Sequence, residues 1–356
     1  MHVVVGGDIG GAERLIVELA TRPDLTGADH EIAVLTPNRA LVAHFAGAGL
    51  VVHDRGPVRE NPFAYLWRSL GPADTAWLAR LVEARAADLV HTHTFGSHVL
   101  GTRAARRSRR PQLRTEHHVM HYSDPSSSLF TRWAAARTER FVAVSDYVLR
   151  VLEREAPAVA VRAAVVRNGV DTAYFAPREA DEHAFRVAVV CRLTAWKRVH
   201  LAVEAAAIAD VELVVLGDGE ERGRLEALAS RVGTRARFVG HVADPRPYIA
   251  ECDVVLSTSD REPLGLSVLE ALAMRRPVIA FAGGGIPEIV RDGATGVLVD
   301  APSAGAFAAA IARLRDDRPK LARMGSAARD FVVEHCAIDR MCTGYAAAYD
   351  ATAQAP

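Results

Sequence analysis

The stretch DVVLSTSDREPLGLSVLEALAMRRPVIAF, residues 253–281, reads as one repeating unit of a parallel sheet. Its ends, DVVLST (253–258) and RPVIAF (276–281), are short β-branched runs that are apolar on successive residues rather than alternating. Strands of that kind are buried on both faces, as in parallel sheets covered by helices. Pro263 and Gly265 are costly inside a regular helix, so Glu262 stands in a loop after the first strand. A helix is predicted to start near Gly265–Ser267, with free backbone N–H groups at the positive end of its dipole. Glu270 falls a turn or more into that helix, among Val268, Leu269, Ala271 and Leu272. A capping acid and a chance helix glutamate would explain Glu262 poorly and Glu270 worse. A carboxylate accepts two hydroxyl hydrogen bonds at once, so Glu270 suits a ribose diol and Glu262 a sugar ring. The loop amides between them suit phosphate.

The same grammar extends in both directions. HVVV (2–5), EIAVLT (31–36), DLVHTH (88–93) and RFVAVS (140–145) read as strands of a first set. RVAVVCRL (186–193), VELVVLG (211–217), ARFVG (236–240), DVVLST, RPVIAF and GVLV (296–299) form a second. Helical stretches separate them, as ERLIVELA (13–20) does after the first strand. The fold class is therefore α/β, with two Rossmann-like domains. Turn chemistry and a charge cluster in NGVDTAYFAPREADEHAF (168–185) place the boundary there. The expected division is 1–177, 178–340 and a C-terminal helix, 341–356, returning toward the first domain. Ligands of open parallel sheets bind beyond the carboxyl ends of the strands, so the cleft between two such domains is the expected site.

The 356 residues carry 43 basic and 43 acidic side chains, a balance that excludes binding to nucleic acid through a broad basic field. Four cysteines, Cys191, Cys252, Cys336 and Cys342, form no C-x-x-C pair and read as free thiols of a reducing cytoplasm. No apolar run approaches the roughly 18 residues of a membrane span, and no signal peptide is read at the start. The expected location is cytoplasmic.

The segments after strands carry the chemistry. GGDIGGAER (6–14) leads through Gly10 and Gly11 into a helix N-terminus, but fails the dinucleotide fingerprint because position 8 is Asp. GDGEERGRL (217–225) fails it at Arg222 and reads as a turn that starts a helix. In CRLTAWKR (191–198), Arg192 and Lys197 would put two cations at the cleft mouth, where they suit a diphosphate; either alone would read as surface charge. GGGIPEIV (283–290) reads as helix-start grammar. His91, His93, His98, His117, His118 and His121 cluster in the first domain. They complete no zinc-ligand spacing, and a histidine hydrogen-bonding a polar substrate is the preferred reading. The arginines of TRAARRSRRPQLR (102–114) read first as a solvated helix end. The sharper alternative is contact of Arg103–Arg114 with an anionic acceptor or membrane.

Taken together, GGAERL, DLVHTH, VSDYV, NGVDTAYF, CRLTAWKR, VVLGDGEERGRL, RFVGHV, the Glu262-x(7)-Glu270 pair and GGGIPEIVRDGATGVLV resemble glycosyltransferase family 4 over nearly the whole chain. The resemblance implies a GT-B fold. It also implies retaining, metal-independent transfer of a sugar from a nucleotide-diphosphate donor to a hydroxyl acceptor, lipid-linked or glycan. The donor is a co-substrate; no cofactor and no metal are implied. By position, Arg192 and Lys197 match the basic pair on the diphosphate, Glu270 the ribose-binding acid and Glu262 the acid near the transferred sugar. Leu264, Gly265 and Leu266 match the amides holding sugar and phosphate, and Gly10, Gly11 and Gly217 the glycine turns. Val239 and His241 would flank the base, and His117 fits the T-x-H position, with His118 one residue away as the alternative. Cys191 and Arg276 stand where the family has glycine; the first is expected to crowd the phosphate, the second to change a turn. An epimerase-like enzyme and a non-catalytic nucleotide-sugar-binding protein are the rival readings; turnover with a donor separates them.

Overall fold

The computed structural model describes residues 1–6, 9–36, 38–56, 71–118, 120–125, 127–178 and 184–355. The chain forms two compact units, Met1–Asn168 with Asp339–Pro356, and Gly169–Ile338.

The first unit holds a seven-stranded sheet of order β3-β2-β1-β4-β5-β6-β7. The strands are β1 (His2–Val4), β2 (Glu31–Val34), β3 (Val51–Asp54), β4 (Val90–Thr92), β5 (Gln112–Glu116), β6 (Arg140–Ala143) and β7 (Ala163–Val165). Every pairing is parallel. One face, with Val3, Val5, Ala33, Leu35 and Val90, packs on Leu78, Val82, Leu100 and Ala104 of two helices. The other presents Val4, Ile32 and Val34 to Ile16, Leu41 and Phe45. Burial on both faces is why these strands carry no polar–apolar alternation.

The second unit holds six parallel strands of order β10-β9-β8-β11-β12-β13. They are β8 (Arg186–Val190), β9 (Glu212–Leu216), β10 (Ala236–Gly240), β11 (Val254–Ser257), β12 (Val278–Phe281) and β13 (Gly296–Val299). Val187, Val189, Leu213 and Val215 pack on one helical layer, and Ala188, Val214, Leu216 and Val255 on the other.

The chain leaves the first unit nine residues before the expected 177/178 boundary and returns at 338/339. The reason is a backbone stitch. Val170 N–H donates to Cys336 O at 2.9 Å, Ile338 N–H donates to Val170 O at 3.0 Å, and Phe175 enters the second core. Gly169 sits against the Ala337–Ile338 backbone, where a β-carbon would come within 2.8 Å of Ile338 Cα. The C-terminal helix Ile338–Ala353 closes on the first unit: Tyr345 hydroxyl lies 3.0 Å from Thr115 Oγ1, and Tyr349 hydroxyl 3.2 Å from His91 Nδ1.

Candidate functional site

In each unit the strand order reverses beside the first strand, between β1 and β4 and between β8 and β11. The crevice beyond such a switch point is where open sheets hold ligands. In the second unit, CRLTAWKR follows β8 and SDREPLG follows β11, so the order of the strands brings these two segments together. Thr258, just past β11, donates its hydroxyl to Lys197 O at 2.8 Å and ties the loops. Lys197 Nζ then meets Glu262 Oε2 at 2.5 Å, both side chains about 15% exposed, while the ammonium lies 4.1 Å from the centre of the Trp196 ring. Cys191, Ser259 and Ser267 line the same crevice. Ser259 escaped the sequence reading. Its hydroxyl is buried and has no hydrogen-bond partner among the described residues, a polar group that a ligand oxygen would satisfy.

Glu262 is held from behind by the glycine turn after β12. Gly285 N–H donates to Glu262 O at 2.8 Å. A β-carbon on Gly284, whose φ is +65°, would lie 2.8 Å from Glu262 N, and one on Gly283 2.6 Å from Asp260 O. GGGIPE is thus more than helix-start grammar: its three glycines let two backbones touch. Leu264 is buried, and Gly265 turns the chain with φ +100° into the helix Leu266–Ala273, which begins at the expected residue. Glu270 sits on that helix and is 5% exposed. The unit therefore offers a lysine–carboxylate pair, a helix N-terminus and a buried carboxylate, with Arg192 exposed at the loop before Lys197.

The glycines after β9 have a local reason. Gly217 (φ +127°) and Gly219 (φ +157°) lie on the backbone of Cys191 and Leu193, where a side chain would collide with carbonyl oxygens. Leu193 N–H donates to Asp218 O at 2.9 Å. Gly217 thereby supports the Arg192 loop. Val239 packs beside the core and His241 is exposed. Cys191 carries its thiol pushed up to about 12 by burial, and its carbonyl rests on Gly217. Arg276 does more than change a turn: its guanidinium reaches Ala250 O at 2.7 Å and Arg178 O at 3.3 Å, holding the linker.

In the first unit, Gly10 caps the helix Gly11–Ala20, and Glu13 returns a carboxylate oxygen to Gly10 N–H at 2.9 Å. Gly7 and Asp8 of this turn lie outside the described residues. Past β4, Thr94 hydroxyl donates to Val5 O at 2.9 Å, tying the two switch-point loops. His117, just past β5, is half-buried, its Nε2 3.5 Å from His93 Nδ1; His118 is exposed beside His121. Burial lowers the His117 imidazole to about 3. His98 bonds Thr138 Oγ1 at 2.9 Å and is part of the core.

Two expectations change here. Arg114 is 1% exposed, so it cannot belong to a surface patch running from Arg103 to Arg114. It donates to both oxygens of Glu116, at 3.0 and 3.1 Å, and to Thr94 O. Glu116 is fully buried. Burial alone would raise its carboxyl, but the Arg114 charge and His121, 3.3 Å away, hold it well below the usual range. Arg103 turns to Gly71 O at 3.0 Å, which leaves Arg106, Arg107 and Arg109 exposed. The histidine cluster also has a member the sequence reading missed: His2, whose ring nitrogens approach those of His91 and His93 to within 4.8 Å. β1 pairs β4 with His2 opposite His91, a register invisible in the linear sequence.

Residues 9–174 match the family model of Glycosyltransferase Family 4, and residues 170–331 that of Glycosyl transferases group 1. The D-inositol 3-phosphate glycosyltransferase of Salinispora tropica is 30% identical over 383 positions, spanning 92% of this chain and 78% of the relative. The lipopolysaccharide core biosynthesis glycosyltransferase LpsE of Rhizobium meliloti is 40% identical over 140 residues, 38% of this chain and 41% of LpsE. Among solved structures, Anabaena HepE in complex with UDP and glucose superposes with a TM-score of 0.86 at 22% identity, covering 98% of both chains. With two parallel-sheet Rossmann-like units in the GT-B fold and both family models adjoining along its length, the chain belongs to glycosyltransferase family 4 and is a hexosyltransferase-type glycosyltransferase.

Proposed function

We propose that this glycosyltransferase moves a sugar from a nucleoside-diphosphate donor, a UDP-sugar in the first instance, to a hydroxyl of a glycan or lipid-linked acceptor, with retention of configuration and no metal ion. The observation that carries the reading is the Lys197–Glu262 pair at the β8/β11 switch point, directly before the N-terminus of the helix that bears Glu270. UDP and glucose are the ligands named for the Anabaena structure, which is why a UDP-sugar leads.

The mechanism follows from charge. Breaking the anomeric bond builds negative charge on the leaving diphosphate and positive character on the sugar. Lys197, Arg192 and the amides at Gly265–Leu266 are the groups assigned to the first. They take the part a divalent ion would otherwise play; the sequence has no Asp-x-Asp motif. Lys197 has three N–H donors, so it can hold Glu262 and a phosphate oxygen together. Glu262 is assigned to the transferred sugar and Glu270 to the ribose, with Ser259 added as a donor to the diphosphate. Val239 and His241 are assigned to the base, and Gly10, Gly11 and His117 are the first-unit residues assigned to the donor. Departure of the diphosphate and arrival of the acceptor on the same face of the sugar, with the acceptor hydroxyl giving its proton to the departing phosphate oxygen, would give retention.

We place the reaction in the cytoplasm, the reading carried by the cysteine pattern of the sequence, which has no C-x-x-C pair. No described helix is long and apolar enough to cross a membrane. A peripheral contact with an anionic bilayer would fall to Arg106, Arg107 and Arg109. The test is a panel of UDP-, GDP-, ADP- and TDP-sugars scored by thermal shift and slow donor hydrolysis, with Lys197→Ala and Glu270→Ala alongside. Stabilisation and hydrolysis by one donor, lost in both variants and kept in EDTA, is the expected result. Indifference to every donor overturns the reading.

A further inference from the structure

The first unit holds an unbroken line of imidazoles, of which the proposed reaction calls only for His117. Thr26 Oγ1 lies 2.9 Å from His30 Nε2, His30 Nδ1 2.8 Å from His2 Nε2, and His2 Nδ1 2.9 Å from His93 Nε2. His93 Nδ1 then meets His117 Nε2 at 3.5 Å. The five residues come from five places in the chain: the end of the helix Pro23–Thr26, the approach to β2, β1 itself, and the ends of β4 and β5. Thr26, His2 and His93 are 2%, 0% and 3% exposed. Burial lowers all four imidazoles, His30 to about 4 and His117 to about 3, so each is neutral near pH 7.

A neutral imidazole donates once and accepts once. Four in line therefore have two self-consistent arrangements, with every proton on Nε2 or every proton on Nδ1. Thr26 selects between them. Its hydroxyl faces three carbonyl oxygens, of Arg22 at 3.1 Å, Ala28 at 3.4 Å and Pro23 at 3.5 Å. A carbonyl can only accept, so the hydroxyl donates there and accepts from His30. The network then requires Nε2–H at His30, His2, His93 and His117 in turn. His117 is left with an unprotonated Nδ1, which has no partner among the described residues.

We propose that Thr26, His30, His2 and His93 are positioning residues that fix the tautomer and ring orientation of His117, presenting its Nδ1 as a hydrogen-bond acceptor to a hydroxyl of the transferred sugar. The sugar contact rests on the function proposed above; the tautomer chain does not. His91 stands beside the line rather than in it. Its nitrogens are taken by Thr115 Oγ1 at 2.9 Å and Tyr349 hydroxyl at 3.2 Å, while its ring lies 4.1 Å from that of His93. The proximity of His2, His91 and His93 could suggest a metal. However, both nitrogens of His2 and both of His91 already have hydrogen-bond partners, and a metal would have to break those bonds.

The test is long-range 1H–15N NMR on the full chain labelled at histidine, which reads each tautomer without any substrate. The expected spectrum shows Nε2–H tautomers at His30, His2, His93 and His117. Thr26→Val, which keeps the side-chain shape and removes the anchor, should turn His117 into a mixture of tautomers, and Thr26→Ser should restore it. At half population the donor KM should rise about twofold with kcat unchanged. A His117 spectrum indifferent to Thr26→Val, or Nδ1–H tautomers in the unmodified protein, overturns the proposal. So does zinc that shifts His2, His91 and His93 together at stoichiometric amounts. If no donor is turned over, the function proposed above fails while the NMR result still decides the chain.

Discussion

Gly284→Ala and Gly293→Ala form a matched pair that isolates the support behind Glu262. Both glycines sit in the left-handed region, at φ +65° and +73°. Adding a β-carbon there costs about 1–2 kcal/mol in either case. They differ in what the new methyl meets. At Gly293 nothing lies within 4 Å; at Gly284 the Glu262 backbone nitrogen is 2.8 Å away and its carbonyl carbon 3.0 Å. Backbone cannot rotate aside as a side chain can, so Gly284→Ala takes a further overpacking penalty of about 1–3 kcal/mol. For a unit of this size, each kcal/mol is worth about 2–4 °C in Tm. Thermal unfolding should therefore separate the two variants by about 2–12 °C. Relief of the clash must also move Glu262 and lengthen the Gly285 N–H bond to its carbonyl, disturbing the Lys197 pair. Gly284→Ala should lose donor-induced stabilisation, and Gly293→Ala should keep it. Equal melting temperatures, or a destabilised Gly284→Ala that binds donor normally, would refute the argument that the glycine turn positions the carboxylate.

Three further outcomes follow from the same geometry. Glu270→Gln removes the charge from a buried acceptor of hydroxyl hydrogen bonds, each worth about 1.5–3 kcal/mol, so calorimetry should find the nucleoside diphosphate bound roughly 10–100-fold more weakly; unchanged affinity would sink the ribose assignment. Tyr349→Phe removes the hydroxyl 3.2 Å from His91, and urea unfolding should report a loss of about 0.5–1.5 kcal/mol, with no loss counting against a real bond. The third concerns acid. His2, His30, His91, His93 and His117 have folded-state pKa values below that of a free histidine, so unfolding takes up protons. Stability is fully present above about pH 6.5 and falls as the pH drops; for His30 the loss levels off near pH 4, where the folded form also protonates. At pH 5.5 His30 and His117 each contribute a loss of about 1 kcal/mol, and the other three act in the same direction. Denaturant curves at pH 7.5 and 5.5 with equal midpoints would show these rings to be solvated.

Ten of the thirteen strands were legible as apolar β-branched runs, because burial on both faces writes itself into composition. β3, VVHD, is an edge strand with exposed ends, and β7, AAV, is largely alanine, so neither carried that mark. β5 was half seen: its Arg114 and Glu116 look like surface charge until their mutual bonds are known. Glu262 and Glu270 were legible because a carboxylate beside Pro–Gly, or within an apolar helix face, breaks the expected pattern. Ser259 and His2 were not. A serine in a loop is unremarkable in sequence, and the role of His2 depends on strand register across 91 residues of chain. The second boundary was readable from the alanine-rich helix, whereas the first turned on one backbone stitch at Val170.

The return of the helix Ile338–Ala353 to the first unit has a consequence for biosynthesis. The first unit is interrupted by Gly169–Ile338, so its last layer is translated only after the whole second unit. At ~5–20 residues per second, those intervening residues take roughly 10–30 s to make. Through that interval Thr115 and His91 lack Tyr345 and Tyr349, and the sheet face that holds the imidazoles is uncovered. The second unit is continuous in the chain and can finish folding at the ribosome, whereas the one that began first must wait for the final helix to emerge. Emergence of Ile338–Ala353, rather than the order in which the two units begin, sets when the first unit is complete.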